Sequence, residues 1–278
     1  MKYFVLYNPQ AGNASIKAQA LEECFPDAEF VYIDVTSENG YATLFESKQA
    51  QDGVIVCGGD GTLNRFVNAI KDKNISGKIY YYACGSGNDF LRDVAENSEK
   101  LVDMENYLKN LPTVTLNGKD YAFLNGVGFG IDGYCCEVGD KIRAKSDKPV
   151  NYTGVAIKGL LFHYAPTDAT VIVDGKEYFF KKVWIAPTMN GRFYGGGMLP
   201  APKQRREQPK LSVTLFHGSG RLKTLMIFPS IFKGEHVKKT KNVTVLEGNE
   251  ITVKFTQPRT VQIDGETVLN VSEYTARK

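Results

Sequence analysis

Val54-Ile-Val-Cys-Gly-Gly-Asp-Gly-Thr-Leu-Asn64 is the stretch from which the fold of the first half is read. Its three β-branched residues and a cysteine form a short apolar run that reads as a buried strand. The glycines that follow lie between the carboxyl end of that strand and a helix beginning at Leu63. There, backbone N–H groups approach an anion without a Cβ in the way, and the helix dipole favours phosphate. Asp60 inside such a cradle repels bare phosphate, which makes sense where a divalent ion or a ribose hydroxyl lies between them. The alternative is a tight turn that uses glycine for geometry alone. Nothing in the sequence gives the fold a stake in Asp60.

Outward from this stretch, residues 3–7, 30–35, 54–57 and 79–83 read as strands, and 15–24, 41–50, 63–71 and 98–109 have helical apolar spacing. Repeated βα units of this length predict an α/β domain with a parallel sheet covered by helices. Two further loops fall beyond strand carboxyl ends, where open α/β sheets place ligands. They are Asn8-Pro9-Gln10-Ala11-Gly12-Asn13 after the first strand and Cys84-Gly85-Ser86-Gly87-Asn88-Asp89 after the fourth. Three polar, glycine-containing loops on one sheet edge point jointly to a nucleotide site, although each alone reads as a plain loop.

From about Thr113 the texture changes to strands at 113–116, 121–125, 169–173, 178–185, 210–216, 242–245, 251–255 and 260–263, with one helix at 150–162. Asn117-Gly118 and Asp174-Gly175 supply hairpin turns. The expected division is an α/β domain over 1–118, with 268–278 as a candidate return to it, and an antiparallel β-sandwich or open barrel over 119–267. The two are expected to join directly across a cleft. Asn125-Gly-Val-Gly-Phe-Gly-Ile-Asp132 has G-x-G-x-G spacing with no obvious helix after it, which disfavours a dinucleotide fingerprint. In Asn190-Gly-Arg-Phe-Tyr-Gly-Gly-Gly-Met198 the three glycines suggest that something packs closely on them. Ile263-Asp264-Gly265-Glu266 ends a strand with two carboxylates on one side of an extended chain unless Gly265 bends it; a carboxylate there is a candidate general base, the alternative being a hairpin turn.

With 42% hydrophobic and 23% charged residues over 278, the chain reads as a soluble globular protein able to bury a core. Five cysteines without a C-x-x-C pair suit a reducing cytoplasm. No apolar stretch approaches the ~20 residues of a membrane helix, so the reading is neither exported nor membrane-spanning. The net charge of +3 is too small to imply nucleic acid, but residues 201–241 hold ten Lys/Arg against two acids, a local +8 that leaves −5 elsewhere. Such a region suits a polyanion or an anionic membrane surface, the alternative being a solvated face. The three histidines lack zinc spacing, and neither G-x-S-x-G nor G-x-x-x-x-G-K-[ST] occurs, which disfavours zinc, hydrolase and P-loop readings.

The ordered set Asn8-Pro9…Gly12, residues 56–64, Gly85-Ser-Gly-Asn-Asp-Phe90, Asn125-x-x-Gly-x-Gly-x-Asp132, the triple-glycine segment and Asp264-Gly-Glu266 resembles the lipid kinases of the diacylglycerol kinase catalytic-domain family, relatives of sphingosine and ceramide kinases. Gly-Gly-Asp-Gly-Thr alone is shared with NAD kinases and phosphofructokinases. The resemblance implies an ATP-dependent, Mg2+-using kinase that phosphorylates a free hydroxyl of a membrane lipid, diacylglycerol first among them, in phospholipid metabolism. It implies nucleotide contacts from Asn8, Pro9, Gln10, Ala11, Gly12, Thr36, Gly58, Gly59, Asp60, Gly61, Thr62, Leu63, Asn64 and Ser86. It places Asp60 and Asp132 near a water-bound magnesium and makes Glu266, with Asp264 beside it, the proton acceptor.

The expected enzyme is cytoplasmic and peripheral on an anionic membrane, with a homodimer among the assemblies it admits. Three departures stand out: Arg65 where the family usually has Glu, the positive run 203–210 where some members hold a structural magnesium, so none is expected there, and a short segment after Glu266, which bears on the candidate return to the first domain. The rival readings are an NAD kinase and a non-catalytic nucleotide- or lipid-binding relative.

Overall fold

Every residue of the strand Gly53–Gly58 is buried, the pattern of a central strand in a parallel sheet. In the computed structural model, which describes residues 1–9, 18–73, 75–85, 87–95, 100–145 and 150–278, this strand is β3. Before it lie β1 (Lys2–Tyr7) and β2 (Glu29–Asp34), and after it β4 (Ile79–Ala83) and β5 (Leu101–Asp103). The sheet order is β2-β1-β3-β4-β5, the first four parallel and β5 antiparallel to β4. The chain winds one way from β1 to β2 and the other way from β3 onward. The topological switch point therefore falls between β1 and β3, where α/β sheets bind ligands beyond their strand ends.

The helices are α1 (Ala18–Cys24), α2 (Gly40–Ser47), α3 (Asp60–Ile70), α4 (Asp89–Val94) and α5 (Glu105–Leu108). In α3, Leu63, Phe66, Val67 and Ile70 recur at helical spacing and are all buried. The helix expected over 98–109 does not form as one element. Leu101–Asp103 instead pairs with Tyr82–Tyr80, and the Asp103 carboxylate accepts the N–H of Glu105 at 2.9 Å to start α5. Helix α4 had no sequence signal beyond its loop.

The second unit is built on antiparallel strands: β6 (Thr113–Leu116), β7 (Lys119–Ala122), β8 (Gly126–Phe129), β9 (Thr167–Val173), β10 (Lys176–Val183), β11 (Thr188–Met189), β12 (Leu211–Phe216), β13 (Val243–Gly248), β14 (Glu250–Ile263) and β15 (Glu266–Arg277). Their order is β13-β12-β11-β8-β14-β15-β6-β7, with β9 joining β14 to β10. Val171, Val213, Val253 and Val271 lie in its main apolar core, where Phe129 stacks on Phe255 with centroids 3.7 Å apart.

The compact units divide between Leu111 and Pro112, which differs from the expected boundary after residue 118. Strand β6 pairs with Tyr274–Arg277, so both residues 113–116 and the segment 268–278 belong to the second unit. A helix does open after the 125–132 glycines: α6 (Ile131–Arg143), followed by α7 (Tyr152–Lys158) with a π-helical turn Gly159–His163, and by α8 (Arg221–Ile227). Its glycines hide the pattern, because Gly133 and Gly139 occupy buried positions usually held by apolar residues.

A Cβ on Gly133 would lie 1.9 Å from the backbone oxygen of Thr260, so α6 rides directly on β14. Gly133→Ala should therefore lower stability by roughly 1–3 kcal/mol in urea unfolding, although alanine favours helix, because overpacking against backbone outweighs propensity.

Candidate active site

Gly58 ends β3, and Gly59 enters α3 in extended conformation (φ −98°, ψ −171°). A Cβ on Gly58 would sit 2.5 Å from the Thr62 side chain, and one on Gly85 would sit 2.5 Å from the Cα of Gly59. The loops after β3 and β4 thus meet backbone to backbone, which only glycine permits. Asn88, left-handed at φ 44°, clasps Gly85 by accepting its N–H at 3.0 Å and donating to its carbonyl at 2.8 Å. The buried Tyr81 hydroxyl donates to the Gly58 carbonyl at 3.1 Å.

The Asp60 carboxylate bridges the two loops, accepting the N–H groups of Asp89 at 2.8 Å and Phe90 at 2.9 Å. These are the first amides of α4, whose own N-cap side chain does not cap it. The fold therefore does have a stake in Asp60, contrary to the sequence expectation.

The other expected nucleotide contacts sort by position. Asn8 and Pro9 follow β1, and Gly58, Gly59, Asp60, Gly61, Thr62, Leu63 and Asn64 run contiguously into α3. Thr62, Leu63 and Asn64 are buried, so Leu63 offers a ligand only its backbone. Thr36 lies just past β2, where its N–H and hydroxyl donate to the Asp34 carboxylate at 2.8 and 2.7 Å, holding that carboxyl below its ordinary range. Gln10, Ala11, Gly12 and Ser86 lie outside the described residues. Arg65 is exposed on α3 between buried Asn64 and Phe66.

In the second unit Asp264 and Gly265, at φ 48° and 95°, form a two-residue turn between the paired Ile263 and Glu266. Gly265 bends the chain, so the two carboxylates do not share a side. Asp264 is buried and accepts the N–H groups of Leu124, Asn125 and Gly126 at 2.6, 2.8 and 2.9 Å. It anchors backbone, whereas Glu266 is half-buried at the start of β15, close enough to α6 that its charge adds slightly to the burial and the Asp132 and Asp140 charges that push up the Cys136 thiol.

The opposite side of the same segment is held by Arg206, itself backed by Lys278, in roles that the sequence does not announce. Arg206 donates to the Leu124 carbonyl at 2.6 Å and to Asn125 Oδ1 at 2.7 Å. Lys278 donates to Asn190 Oδ1 at 2.6 Å and to the Arg206 carbonyl, and burial lowers its ammonium to about 8. Gly195, Gly196 and Gly197 all have positive φ, and Tyr194 and Met198 exchange backbone hydrogen bonds around them. Nothing lies within 4 Å of a Cβ placed on Gly196. Positive φ at all three positions accounts for the triple glycine, and at Gly195 a Cβ would in addition lie 2.4 Å from the Met198 side chain.

That turn directs Tyr194 toward Asp132, in the first turn of α6. Asp132, Tyr194 and Gln262 are all at least nine-tenths buried, and no hydrogen bond of good geometry reaches Asp132 Oδ2, the Tyr194 hydroxyl or Gln262 Nε2, although the Tyr194 hydroxyl lies near enough to Asp132 to favour its charged form. Asp132 Oδ1 accepts the Gly133 N–H at 3.1 Å, while burial pushes the carboxyl up to about 7. A cation's hydration shell would suit the orphaned oxygen, and Asp60 retains lone pairs for water beyond its two amides. No cluster of three or more His, Cys, Asp or Glu occurs among the described residues. Taken each in its own unit, the two carboxylates suit the waters of a hydrated cation more than direct ligation.

A family model described as the diacylglycerol kinase catalytic domain matches residues 2–115, and one described as the YegS C-terminal NAD kinase beta sandwich-like domain matches 125–275. A diacylglycerol kinase of Mycobacterium tuberculosis is 26% identical over 195 residues, a match that spans 67% of this chain and 62% of that protein's length. A diacylglycerol kinase of Bacillus subtilis is 22% identical over 94% of this chain and 88% of its own. The crystal structure of a Bacillus anthracis diacylglycerol kinase shares the fold at a TM-score of 0.65 and 18% identity, covering 99% of this chain and 93% of that one.

Two measurements check the carboxylates. Asp60→Ala should cost about 1 kcal/mol in chemical unfolding, the value of a lost helix cap, and Asp60→Asn less. For Asp132, the folded state keeps between the ordinary carboxyl pKa of 3.8 and about 7 a proton that the unfolded chain has lost, so stability falls as pH rises through that window. Asp132→Asn should therefore stabilise the protein by roughly 2 kcal/mol more at about pH 8 than at about pH 5 in metal-free buffer.

Proposed function

This chain belongs to the diacylglycerol kinase catalytic-domain family, and on that premise we propose that it is a lipid kinase, transferring the γ-phosphate of Mg-ATP to the free hydroxyl of a membrane lipid, diacylglycerol first. The observation that carries the reading is the glycine cradle at the β1/β3 switch point, where Gly58 and Gly59 open onto the amino end of an eleven-residue helix. Backbone N–H groups and a helix dipole at that place bind phosphate without any side chain. Phosphoryl transfer asks the protein chiefly for positioning and charge neutralisation, which suits a site of this kind.

Each residue then has a defined task. The Gly59–Thr62 backbone receives the phosphates. Asp60 fixes that backbone against the loop after β4 through Asp89 and Phe90. Bound magnesium would neutralise phosphate charge, with Asp60 and Asp132 meeting its waters. Glu266 accepts the proton of the acceptor hydroxyl, and Asp264 holds the turn that presents it. Asp264 is thus reassigned from partner base to positioning residue.

Among the described residues no helix is long and apolar enough to cross a membrane. An acceptor lipid that stays in its bilayer calls for peripheral action at the cytoplasmic face. Labelled ATP offered with diacylglycerol, ceramide and monoacylglycerol in mixed micelles, and with NAD in detergent-free buffer, tests the assignment. Label in phosphatidic acid is the expected outcome, and label only in NADP would overturn it. Glu266→Gln should lower turnover by about 10²–10⁴-fold with nucleotide affinity unchanged in a direct binding assay. Lost affinity at full turnover per bound nucleotide would remove Glu266 from the proton-acceptor role.

A further inference from the structure

Two helical segments of the second unit lie against each other: α7 with its π-helical turn, and α8 with the 3₁₀ turn Phe228–Lys233. Their inner residues, among them Ala156, Leu160, Ile227, Phe228 and Ile231, are buried in one apolar cluster. Arg221 ties the segments by donating to the Leu160 carbonyl. The basic, apolar run 221–233 therefore serves the core with one side and leaves the other to solvent.

That outer side is not polar. Phe162 is 71% exposed, Leu222 72% and Met226 75%, and Ile157 and Phe232 are exposed as well. Leu222 and Met226 stand four positions apart, hence on one face of α8. A single exposed apolar residue is ordinary, but three large ones this exposed on adjoining elements mark a contact surface. Neither residues 150–166 nor 220–234 contain an Asp or Glu, while Lys158, Lys223 and Lys233 are exposed on the same elements. Apolar tips interleaved with cations and free of acids match the boundary between acyl chains and anionic headgroups.

We propose that the face carrying Phe162, Leu222 and Met226 docks on an anionic lipid bilayer, its three apolar side chains entering the acyl boundary and its lysines meeting headgroup phosphates. The proposal rests on the lipid-kinase reading in that the bilayer is where the acceptor lies. Within the 201–241 region expected from sequence it places the contact on 221–233 and not on 203–210, where Arg206 is turned inward to Leu124 and Asn125.

Co-sedimentation with vesicles of equimolar phosphatidylcholine and phosphatidylglycerol tests it, beside phosphatidylcholine alone. The variants are Phe162→Ser/Leu222→Ser/Met226→Ser, Lys158→Gln/Lys223→Gln/Lys233→Gln, and Lys203→Gln/Arg205→Gln/Lys210→Gln. The apolar triple should bind the anionic vesicles roughly 100-fold more weakly at unchanged melting temperature, less than the loss for three fully buried apolar side chains because these enter only the acyl boundary. The first lysine triple should weaken binding at low salt and little at high salt, and the 203–210 variant should bind as wild type.

Turnover on a water-soluble, short-chain diacylglycerol separates this from the kinase assignment. An apolar variant that keeps that turnover while losing vesicle binding supports the docking face. Undiminished vesicle binding by the apolar and first lysine triples overturns it, whatever the kinase assay gives. A wild type that dimerises through this face, made monomeric by the apolar triple with vesicle binding intact, would also overturn it, with a second copy of the chain as the occupant. Absence of lipid phosphorylation by wild type would count against the kinase reading alone.

Discussion

A carboxylate held against backbone N–H groups is the interaction on which both halves of this protein turn. Asp60 accepts two amides and Asp264 three, and in each case the donors belong to a loop remote in sequence. Charge-assisted bonds of this kind are about twice as strong as neutral ones, and they satisfy amides that a loop leaves orphaned. The loops they hold are glycine-rich, as close approach demands, and glycine by itself has little tendency to stay in place. Permissive backbone and an anchoring acid together give a rigid site from flexible material.

Asp132 is the opposite case. Its carboxyl is buried beside a tyrosine hydroxyl and a glutamine amide that also lack hydrogen bonds of good geometry, an arrangement that costs stability and persists where a ligand or a reaction needs it. The assignment of roles follows from this contrast. Under the proposed function, Asp264 positions the turn, Asp60 both fixes the cradle and meets a cation's waters, and Asp132 and Glu266 are the acids assigned to chemistry.

The positive charge of the second unit is likewise divided by use. Arg206 points inward and holds carbonyl and amide oxygens of the segment that Asp264 grips from its amide side, and Lys278 backs it through Asn190 and the Arg206 carbonyl. Lys158, Lys223 and Lys233 point outward beside exposed apolar tips. Net charge over residues 201–241 cannot separate these uses, because a guanidinium counts the same whether it binds a carbonyl or faces solvent.

The sequence alone determined the βα alternation, the strand-to-helix cradle at Gly58–Asn64 and the antiparallel character of the second half. Those features follow from local periodicity and from the few residues able to occupy tight turns. It also marked Asp60, Asp264 and Glu266 as acids of interest, because each stands beside glycine in a turn or at a helix start, while Asp132 entered only through the family resemblance. Only the tertiary structure decided what each acid does. Which amides lie within reach of Asp60 depends on the neighbouring strand, and Asp264 meets Leu124–Gly126 across nearly 140 residues of chain. Helix α6 escaped the pattern because Gly133 and Gly139 hold the contact positions of its packed face, and an absent side chain leaves no periodicity to read. Burial, partner and exposure belong to pairs of segments, and a linear chain does not contain them until it folds.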